Sequence, residues 1–321
     1  MIENPQERSC ILCGEKCSEL YELHDDRYGY PGSFQLLNCR SCGHKFLEIA
    51  LTGEQLTDMY KNYYPRSSFK LDDYSPHREV RGFKAWLDGS FRSAFRWVPR
   101  NVRVLDVGCG FGETLGYHKA RGCDVYGVEA DENIQRVVAE YGYTVHIGLF
   151  DPDMYEEGYF DCVTMDQAIE HVADPVATLR GIARILKRGG IAVLSTPNAN
   201  GWGAKLFKKR WINWHAPYHL HHFSRSSMKI AAEQVGLVVE KAATITSSEW
   251  LHYQWMHLLT YPDMGEPSPF WSPKAGRSPG QQFGLRMLGL FHETRINHMI
   301  TRLFDALGTG DNFLFVLRRA R

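Results

Sequence analysis

The sequence lacks several features that would place it in other classes of protein. It has no apolar run near the roughly 20 residues that a membrane-spanning helix needs. Its first residues, MIENPQERSC, lack a basic segment followed by an apolar core, so we expect no secretory signal and a cytoplasmic location. The formal net charge of zero argues against a general nucleic-acid-binding protein, because such proteins carry a basic surface. A hydrophobic fraction of 44% among 321 residues is typical of a globular chain with one large domain or two.

A second absence is local. Between Asp174 and Glu233 there is no acidic residue, while ten lysines and arginines occur there. This excess indicates an anion site, or else cations scattered on solvated helix faces. Within it, basic and tryptophan side chains are interleaved: Lys205, Lys208, Lys209 and Arg210 with Trp202, Trp211 and Trp214. They could hold a pyrophosphate or a lipid headgroup through charge and stacking, or form a solvated loop whose tryptophans pack inward.

Five of the eight cysteines fall within the first 42 residues. The segments Cys10-Ile-Leu-Cys13 and Cys39-Arg-Ser-Cys42 are each followed by glycine and are separated by 25 residues. Two such turns supply the four thiolates of a tetrahedral zinc site, and a predicted hairpin at 35–47 brackets the second turn, as in a zinc ribbon. Unrelated reduced thiols are the alternative, and Cys17 and His44 are substitute ligands.

The segment VRVLDVGCGFG at 102–112 predicts a strand, a tight glycine turn and a helix. Glycine suits such a turn because it tolerates positive φ and lets a ligand approach the backbone. The second predicted strand ends at Glu129, about twenty residues further on, where a carboxylate can accept hydrogen bonds from ribose hydroxyls. Further strands are predicted at 143–147, 160–165, 191–196, 237–244 and 312–317, with a helix at 175–186 capped by Gly189-Gly190.

Less regular segments surround this pattern. We predict a helix opening at 52–61, an exposed connection at 65–77 and an amphipathic helix at 78–97. Tyr63, in a group of tyrosines, could close over a ligand or pack the junction. The long connection at 246–310 contains predicted helices at 249–259 and 284–291, and its length suggests a lid, a dimer contact or an acceptor pocket. The apolar residues at 283–291 could also rest on a membrane surface, although burial in the core or in a dimer is favoured.

The glycine turn alone does not separate oxidoreductases from transferases. Together with Glu129, the Glu170-His171-Val172 segment and the segment LKRGGIAVLSTPN at 186–198, it resembles the class I S-adenosylmethionine-dependent methyltransferases. The resemblance covers about 60–239 and implies an α/β, Rossmann-like, seven-stranded sheet whose last strand is antiparallel. It also implies which residues contact the cofactor. Along the methionine part lie Asp106, Gly108, Gly110 and Gly112, and Glu129 binds the ribose. Leu149 and Phe150 lie beside the adenine, and Asp166 and Gln167 lie near the sulfonium. We add Tyr63 to this set.

Methyl transfer to oxygen or carbon requires a base, and histidine is poised near neutral pH. Our preferred base is His219, with His171 and His222 as rivals. His219 and His222 have helix-like spacing, and a three-histidine metal site with His221 is a further alternative. The segment 214–224 resembles the acceptor-lining region of methyltransferases from polysaccharide and antibiotic-sugar gene clusters.

These observations predict three parts. They are a zinc-binding module at 1–50 with Cys10, Cys13, Cys39 and Cys42 as ligands, a helical connection at 51–100, and a methyltransferase domain at 101–321 with an insertion at 246–310. The predicted activity is O- or C-methylation of a small, anionic, phosphate-bearing acceptor such as a nucleotide-linked sugar or glycan precursor. A homodimer is the oligomeric state that we consider. The rivals are an RNA methyltransferase and a non-catalytic protein that retains the cofactor fold.

Overall fold

The computed structural model describes residues 8–49, 52–64, 71–79, 82–89 and 93–320. The strands are β1 (Cys17–His24), β2 (Ser33–Cys39), β3 (Lys45–Glu48), β4 (Arg103–Val107), β5 (Asp124–Glu129), β6 (Thr144–Ile147), β7 (Phe160–Asp166), β8 (Leu186–Pro197), β9 (His221–His222), β10 (Leu237–Ile245) and β11 (Asn312–Arg319). The α-helices are α1 (Gly53–Asp58), α2 (Gly82–Asp88), α3 (Glu113–Lys119), α4 (Gln135–Tyr141), α5 (Pro175–Ile185), α6 (Trp202–Phe207), α7 (Arg225–Glu233), α8 (Ser248–Leu259), α9 (Pro279–Glu293) and α10 (Ile296–Ala306).

The chain divides into two compact units. The cysteine unit takes the described residues of 1–66, 198–227 and 246–311, and the sheet unit takes those of 67–197, 228–245 and 312–321. The predicted domain boundaries near residues 50 and 100 concern separately folding parts and stay a prediction. Among the described residues, no helix combines the length and the apolar composition that crossing a bilayer requires.

The sheet unit is built on a seven-stranded sheet with the order β10-β11-β8-β7-β4-β5-β6. Strand β11 is antiparallel to both of its neighbours, and the strands from β8 to β6 run parallel. The predicted fold class, with its last strand antiparallel, is therefore confirmed. Because β5 and β7 flank β4 on opposite sides, the chain reverses its direction of travel across the sheet at β4, which is where sheets of this kind bind ligands.

The core of the sheet unit explains why these segments form strands. In β4 the residues Val104 and Leu105 are fully buried, as are Cys162 in β7 and Val193 in β8. Strands covered on both faces need continuous apolar runs rather than alternation, and the sequence supplies them.

The cysteine unit contains a smaller sheet with the order β1-β2-β3-β9, whose strands are all antiparallel. The hairpin of β2 and β3 is the one predicted around the second cysteine turn. Its register pairs Leu36 with Leu47 and Leu37 with Phe46. All four side chains are buried, and because neighbouring residues of a strand point to opposite faces, the hairpin is covered on both faces.

Two predicted details at α5 and β8 are wrong. Helix α5 ends at Ile185, and Gly189-Gly190 lie within strand β8 instead of capping the helix. The pairing of β7 with β8 jumps from Phe160–Leu186 to Cys162–Ile191, so the intervening residues form a bulge. A Cβ at Gly190 would come within 3.0 Å of backbone carbonyl oxygens, which explains the glycine without a helix cap.

The segment before the sheet also differs from the prediction. The single helix expected at 78–97 is broken, because Gly89 has a φ of +79° after α2, and a short 3-10 helix follows at Ala94–Trp97; residues 80–81 and 90–92 lie outside the described part. The connection at 65–77 was expected to be exposed, but Tyr74 is buried, and residues 65–70 are not described. The helix opening at 52–61 is α1 followed by a π-helical turn at Met59–Tyr63.

We expect Gly116→Ala, in α3, to destabilise the protein. An added Cβ would lie 2.7 Å from ring carbons of Pro76 and 2.8 Å from the Tyr143 hydroxyl, and overpacking of this kind costs about 1–3 kcal/mol. Gly289→Ala in α9 is the matched control, since no described atom lies within 4 Å of its added Cβ; it should be neutral or stabilising by up to about 1 kcal/mol. Urea unfolding measures both, and equal midpoints for the two variants would contradict the packing argument.

Candidate functional site

The glycine turn between β4 and α3 is the centre of the candidate site. Gly108, Gly110 and Gly112 have φ values of +78°, +55° and +83°, a region that side-chain-bearing residues avoid. The Gly108 amide donates to the Val128 carbonyl oxygen at 2.8 Å, which ties the turn to β5. No described atom lies within 4 Å of a Cβ built at Gly110, so the backbone there is open to a ligand.

Glu129, at the end of β5, is joined to this turn. Its Oε2 atom accepts a hydrogen bond from the Gly110 amide at 2.9 Å, and its Oε1 atom accepts one from the Asp131 amide at 2.9 Å. The carboxylate is half-buried and remains partly open to solvent. Each carboxylate oxygen has a second lone pair, so Glu129 can still accept hydrogen bonds from hydroxyl groups of a ligand.

Asp106 lies behind the turn. Its Oδ1 atom accepts a hydrogen bond from the Thr164 hydroxyl at 2.7 Å, and its Oδ2 atom accepts one from the Thr114 hydroxyl. Burial raises the pKa of Asp106 to about 6, and the two hydroxyl bonds oppose that shift. Both oxygens are thus engaged by β7 and α3, and the structure shows Asp106 bracing the turn.

Asp166 and Gln167 lie at the carboxyl end of β7. The Ser195 hydroxyl donates to Asp166 and accepts from the Gln167 side-chain amide at 2.9 Å. Burial raises the pKa of the Asp166 carboxyl group. Gln167 has a φ of +54°, a strained value for a residue with a side chain, and such strain concentrates at functional sites.

The loop after β6 brings Leu149 and Phe150 to the same sheet edge. The Gly148 amide donates to the Glu129 carbonyl oxygen at 2.9 Å, which fixes the start of the loop beside β5. The Leu149 side chain is 82% exposed, so it is accessible to a ligand at this edge. Phe150 is half-buried beside Gly181 of α5.

The structure distributes the remaining predicted residues between the two units. His171 belongs to the sheet unit, in a 3-10 turn at Ile169–His171, and is half-buried. Tyr63 belongs to the cysteine unit, where its ring meets Tyr30 edge-to-face at 5.1 Å. This contact places Tyr63 in an aromatic core.

His219 and His222 also belong to the cysteine unit. The His219 Nδ1 atom lies 2.9 Å from the Asn213 carbonyl oxygen, so Nδ1 carries the proton and Nε2 is the basic nitrogen. His222 is fully buried, with its ring 4.9 Å from that of Trp214, and pairs in β9 with Lys45. The backbone is extended at His222, so the helix-like spacing of the two histidines does not reflect a helix.

The three tryptophans of the basic stretch pack inward. Trp202, Trp211 and Trp214 are buried, while Lys208 and Lys209 are exposed. Their burial favours the alternative in which the tryptophans pack inward, although the segment is α6 followed by a 3-10 turn at Lys208–Arg210 and not a loop.

The four cysteines predicted as zinc ligands lie together. The Sγ atoms of Cys10 and Cys42 are 3.6 Å apart, those of Cys13 and Cys39 are 3.5 Å apart, and all four lie within 4.8 Å of one another. Zinc–sulfur bonds of about 2.3 Å in a tetrahedron require sulfur atoms somewhat less than 4 Å apart, so the group fits the metal. Of the two substitutes, Cys17 lies close to Cys39 but is not one of the four cysteines whose sulfur atoms come together.

Backbone geometry also suits a metal site. Gly14 and Gly43 have φ values of +76° and +74°, and their amides donate to the Cys10 and Cys39 carbonyl oxygens at 2.8 Å. Each turn therefore bends so that both of its sulfur atoms face the same point. The other proposed substitute, His44, stacks on Phe46 instead.

Sequence reasoning missed two residues that shape the site. Ser195 links Asp166 to Gln167, and the signal was the hydroxyl pair Ser195-Thr196 directly after an apolar run. The Tyr74 hydroxyl donates to the Gly112 carbonyl oxygen at 2.9 Å, although Tyr74 lies in a polar segment that gave no such signal.

Glu170 should make stability depend on pH. Burial raises the pKa of its carboxyl group to about 8, above the ordinary 4.5. A raised pKa in the folded state means that stability is lost as the pH rises between these two values. We expect Glu170→Gln to remove this loss and to exceed the wild type in unfolding free energy at pH 8.5, by about 1 kcal/mol or more, but not at pH 5. Urea unfolding across this range measures it. Glu140 is an exposed carboxylate in α4, and Glu140→Gln should leave the pH dependence of the unfolding free energy as it is in the wild type. If Glu170→Gln also kept the wild-type pH dependence, Glu170 would not be its source.

Known proteins were compared with the whole chain. The family described as Methyltransferase domain matches residues 77–242. The ubiquinone biosynthesis O-methyltransferase of Dechloromonas aromatica is 34% identical over 144 residues, which are 42% of this chain and 57% of that protein. The enzyme of the same name from Thiobacillus denitrificans is 34% identical over 117 residues, 33% of this chain and 50% of that protein.

The chain thus spans about half the length of the curated relatives it matches. A solved S-adenosylmethionine-dependent methyltransferase from Mesorhizobium loti has 17% identity, covers 70% of this chain and 96% of its own, and gives a TM-score of 0.44. The family match alone spans more than half of the chain. The chain therefore belongs to the methyltransferase-domain family, as its resemblance to the class I S-adenosylmethionine-dependent enzymes implied.

Proposed function

We propose that this protein transfers a methyl group from S-adenosylmethionine to a hydroxyl group of a small acceptor, and that its cysteine unit carries a structural zinc ion. The observation that carries the proposal is the bond between Glu129 and the Gly110 amide, which places an acceptor of hydrogen bonds beside an open glycine turn at the carboxyl edge of β4 and β5. Because the chain belongs to the methyltransferase-domain family, we assign this turn to the binding of S-adenosylmethionine.

The cofactor contacts follow the sheet edge. The glycine turn would lie along the methionine part, and Glu129 would accept hydrogen bonds from the ribose hydroxyls. The exposed Leu149 would gain cover from the adenine, with Phe150 beside it. Asp166 and Gln167, held by Ser195, would lie near the sulfonium and the amino acid. A sulfonium methyl group is already activated, so these residues mainly bind and orient it.

The acceptor requires removal of its proton. His219 is supported as the base because its Nδ1–H bond to Asn213 fixes the tautomer and leaves Nε2 as the basic atom. His171 is the rival, while the fully buried His222 is less suited to contact an acceptor. The relatives are named O-methyltransferases, which favours oxygen over carbon as the acceptor atom.

Our proposal for the acceptor depends on the positive charge of exposed lysine side chains. The exposed Lys205, Lys208 and Lys209 favour an anionic molecule, and we propose a phosphate-bearing one such as a nucleotide-linked sugar or glycan precursor. A panel of nucleotide sugars, lipid-linked sugars, a phenolic ring and RNA, each incubated with labelled cofactor, tests this. Transfer to RNA would instead support the rival RNA methyltransferase.

Zinc is supported by the distances between the four sulfur atoms and by the small size of the β1-β2-β3-β9 sheet. The two cysteine turns are short loops, and an ion held by all four thiolates would fix them to each other. The cysteines would hold the ion with all four positions filled, so it would be structural and would leave no open coordination site for a substrate.

Glu129→Gln should weaken cofactor binding. Replacing a charged acceptor of ribose hydrogen bonds costs about 1.5–3 kcal/mol, so we expect the Kd for S-adenosylmethionine to rise about ten- to hundredfold. Isothermal titration calorimetry measures this, with Glu140→Gln as the matched control. Unchanged affinity in Glu129→Gln would contradict the ribose assignment, and no binding by the folded wild type would leave only the non-catalytic alternative.

Cys39→Ser should lose the metal. The wild type is expected to purify with one zinc ion per chain, and removal of one thiolate should abolish that content and expose the module to proteolysis, because the ion stabilises its fold. Elemental analysis and limited proteolysis measure the two effects. Cys17→Ser is the control, since Cys17 is a nearby thiol outside the group of four. Full zinc content in Cys39→Ser would show that these cysteines are not the ligands.

A further inference from the structure

Helix α10 of the cysteine unit has its apolar side on the outside. Ile296, Met299 and Leu303, spaced three and four residues apart, are exposed, as is Leu307 just beyond the helix. Its polar residues face inward and are buried: Asn297, His298, Thr301, Arg302 and Asp305. This is the reverse of the arrangement in which a surface helix buries its apolar stripe.

A buried hydrogen-bond network holds α10 in this orientation. Asp305 accepts hydrogen bonds from the Thr246 amide at 3.0 Å and the Thr246 hydroxyl at 2.8 Å. Arg302 lies 3.0 Å from the same carboxylate and also donates to the Thr246 carbonyl oxygen. Turning the helix to bury its apolar side would break these bonds and leave a charge buried without its partner.

Helix α9 extends the apolar surface. It has no buried residue, although Phe283, Met287 and Leu290 lie along one face at intervals of four and three residues and are all exposed. A line of imidazole rings joins the helices: His252 of α8 lies 4.5 Å from His292 of α9. His292 in turn lies 4.7 Å from His298 of α10. The two apolar faces are therefore held by a fixed framework.

The charges around this surface are mostly positive. The exposed charged residues on the two helices or directly before α9 are three arginines, Arg277, Arg286 and Arg295, and one acid, Glu293. Arg286 is exposed on α9 between the apolar residues. An apolar face with basic residues along it is the composition of helices that lie in the interface of a membrane with anionic lipids.

We propose that α9 and α10 form a membrane-docking surface, whose occupant is the surface of a bilayer containing anionic lipids. Phe283, Met287, Leu290, Met299 and Leu303 would enter the boundary between headgroups and acyl chains, and the cations would meet the lipid phosphates. A second copy of this chain is disfavoured, because a symmetric contact would bring two patches with the same excess of positive charge together. The surface lies outside the family match at 77–242, and the proposal does not depend on methyl transfer.

The test is co-sedimentation of the full-length protein with vesicles of phosphatidylcholine, alone or mixed with phosphatidylglycerol. The wild type should bind the mixed vesicles, and the double variant Leu290→Gln, Leu303→Gln should bind at least about tenfold more weakly because the buried apolar area is lost. These leucines are 59% and 58% exposed, so folding should be unaffected, which circular dichroism checks. Leu206→Gln, 59% exposed in α6, is the matched control and should bind as the wild type does.

A variant of one charged residue separates the electrostatic contribution to vesicle binding from the apolar contribution. Arg286→Glu should weaken binding to the mixed vesicles, and added salt should weaken the wild type in the same way. The proposal would be overturned if the wild type bound neither vesicle, or if the double variant bound as tightly as the wild type. It would also be overturned if light scattering showed a wild-type dimer that the double variant disperses, since that result would assign the surface to a second copy.

Discussion

The candidate cofactor site depends on one buried carboxylate. Asp106 cross-links three elements, because it is part of β4 and accepts hydroxyl hydrogen bonds from Thr114 of α3 and Thr164 of β7. A carboxylate without such partners would be costly in this interior, so the bonds fix where α3 starts relative to the sheet. The glycine turn connects β4 to α3, and its three glycines adopt the left-handed φ values that residues with side chains avoid. Glu129 then closes the turn from the β5 side, so the open face of the turn is set before any ligand arrives.

Much of this arrangement was predictable from sequence, because it depends on neighbours along the chain. Alternating strands and helices, the glycine spacing and an acid at a strand tip are local patterns, and the structure places β4, β5 and Glu129 accordingly. The contacts that we did not predict join residues that are far apart in the sequence. Ser195 meets Asp166 only after β8 pairs with β7, and Tyr74 reaches Gly112 from a segment whose composition suggested exposure. Gly189 and Gly190 were misassigned because a bulge and a helix cap both select glycine, and only strand pairing distinguishes them.

In the cysteine unit, too, the local elements were predictable and the contacts between distant residues were not. Two Cys-x-x-Cys turns could be recognised because thiolate chemistry and spacing are read directly from the chain, and the hairpin of β2 and β3 is a local element. No local pattern indicates that residues far along the chain complete this unit. Strand β9 adds to β3, and the Ser224 hydroxyl donates to the Cys42 carbonyl oxygen at 2.6 Å. The cysteine turn and the histidine-rich segment are thus parts of one folded unit, so the proposed metal ion at the cysteines would also help to order the segment that carries His219.

Helix α10 shows why a periodic pattern determines that a helix forms but not which side it buries. Its apolar residues recur at helical spacing, and burial of that stripe would be the ordinary expectation. Against it stands the network of Thr246, Arg302 and Asp305, which satisfies a buried ion pair through several hydrogen bonds at once. Removing one partner from such a pair costs several kcal/mol, about as much as burying two or three leucine side chains would gain. The two effects are of similar size, and the structure has the network inside, so the apolar side stays exposed at a cost that a covering surface would remove.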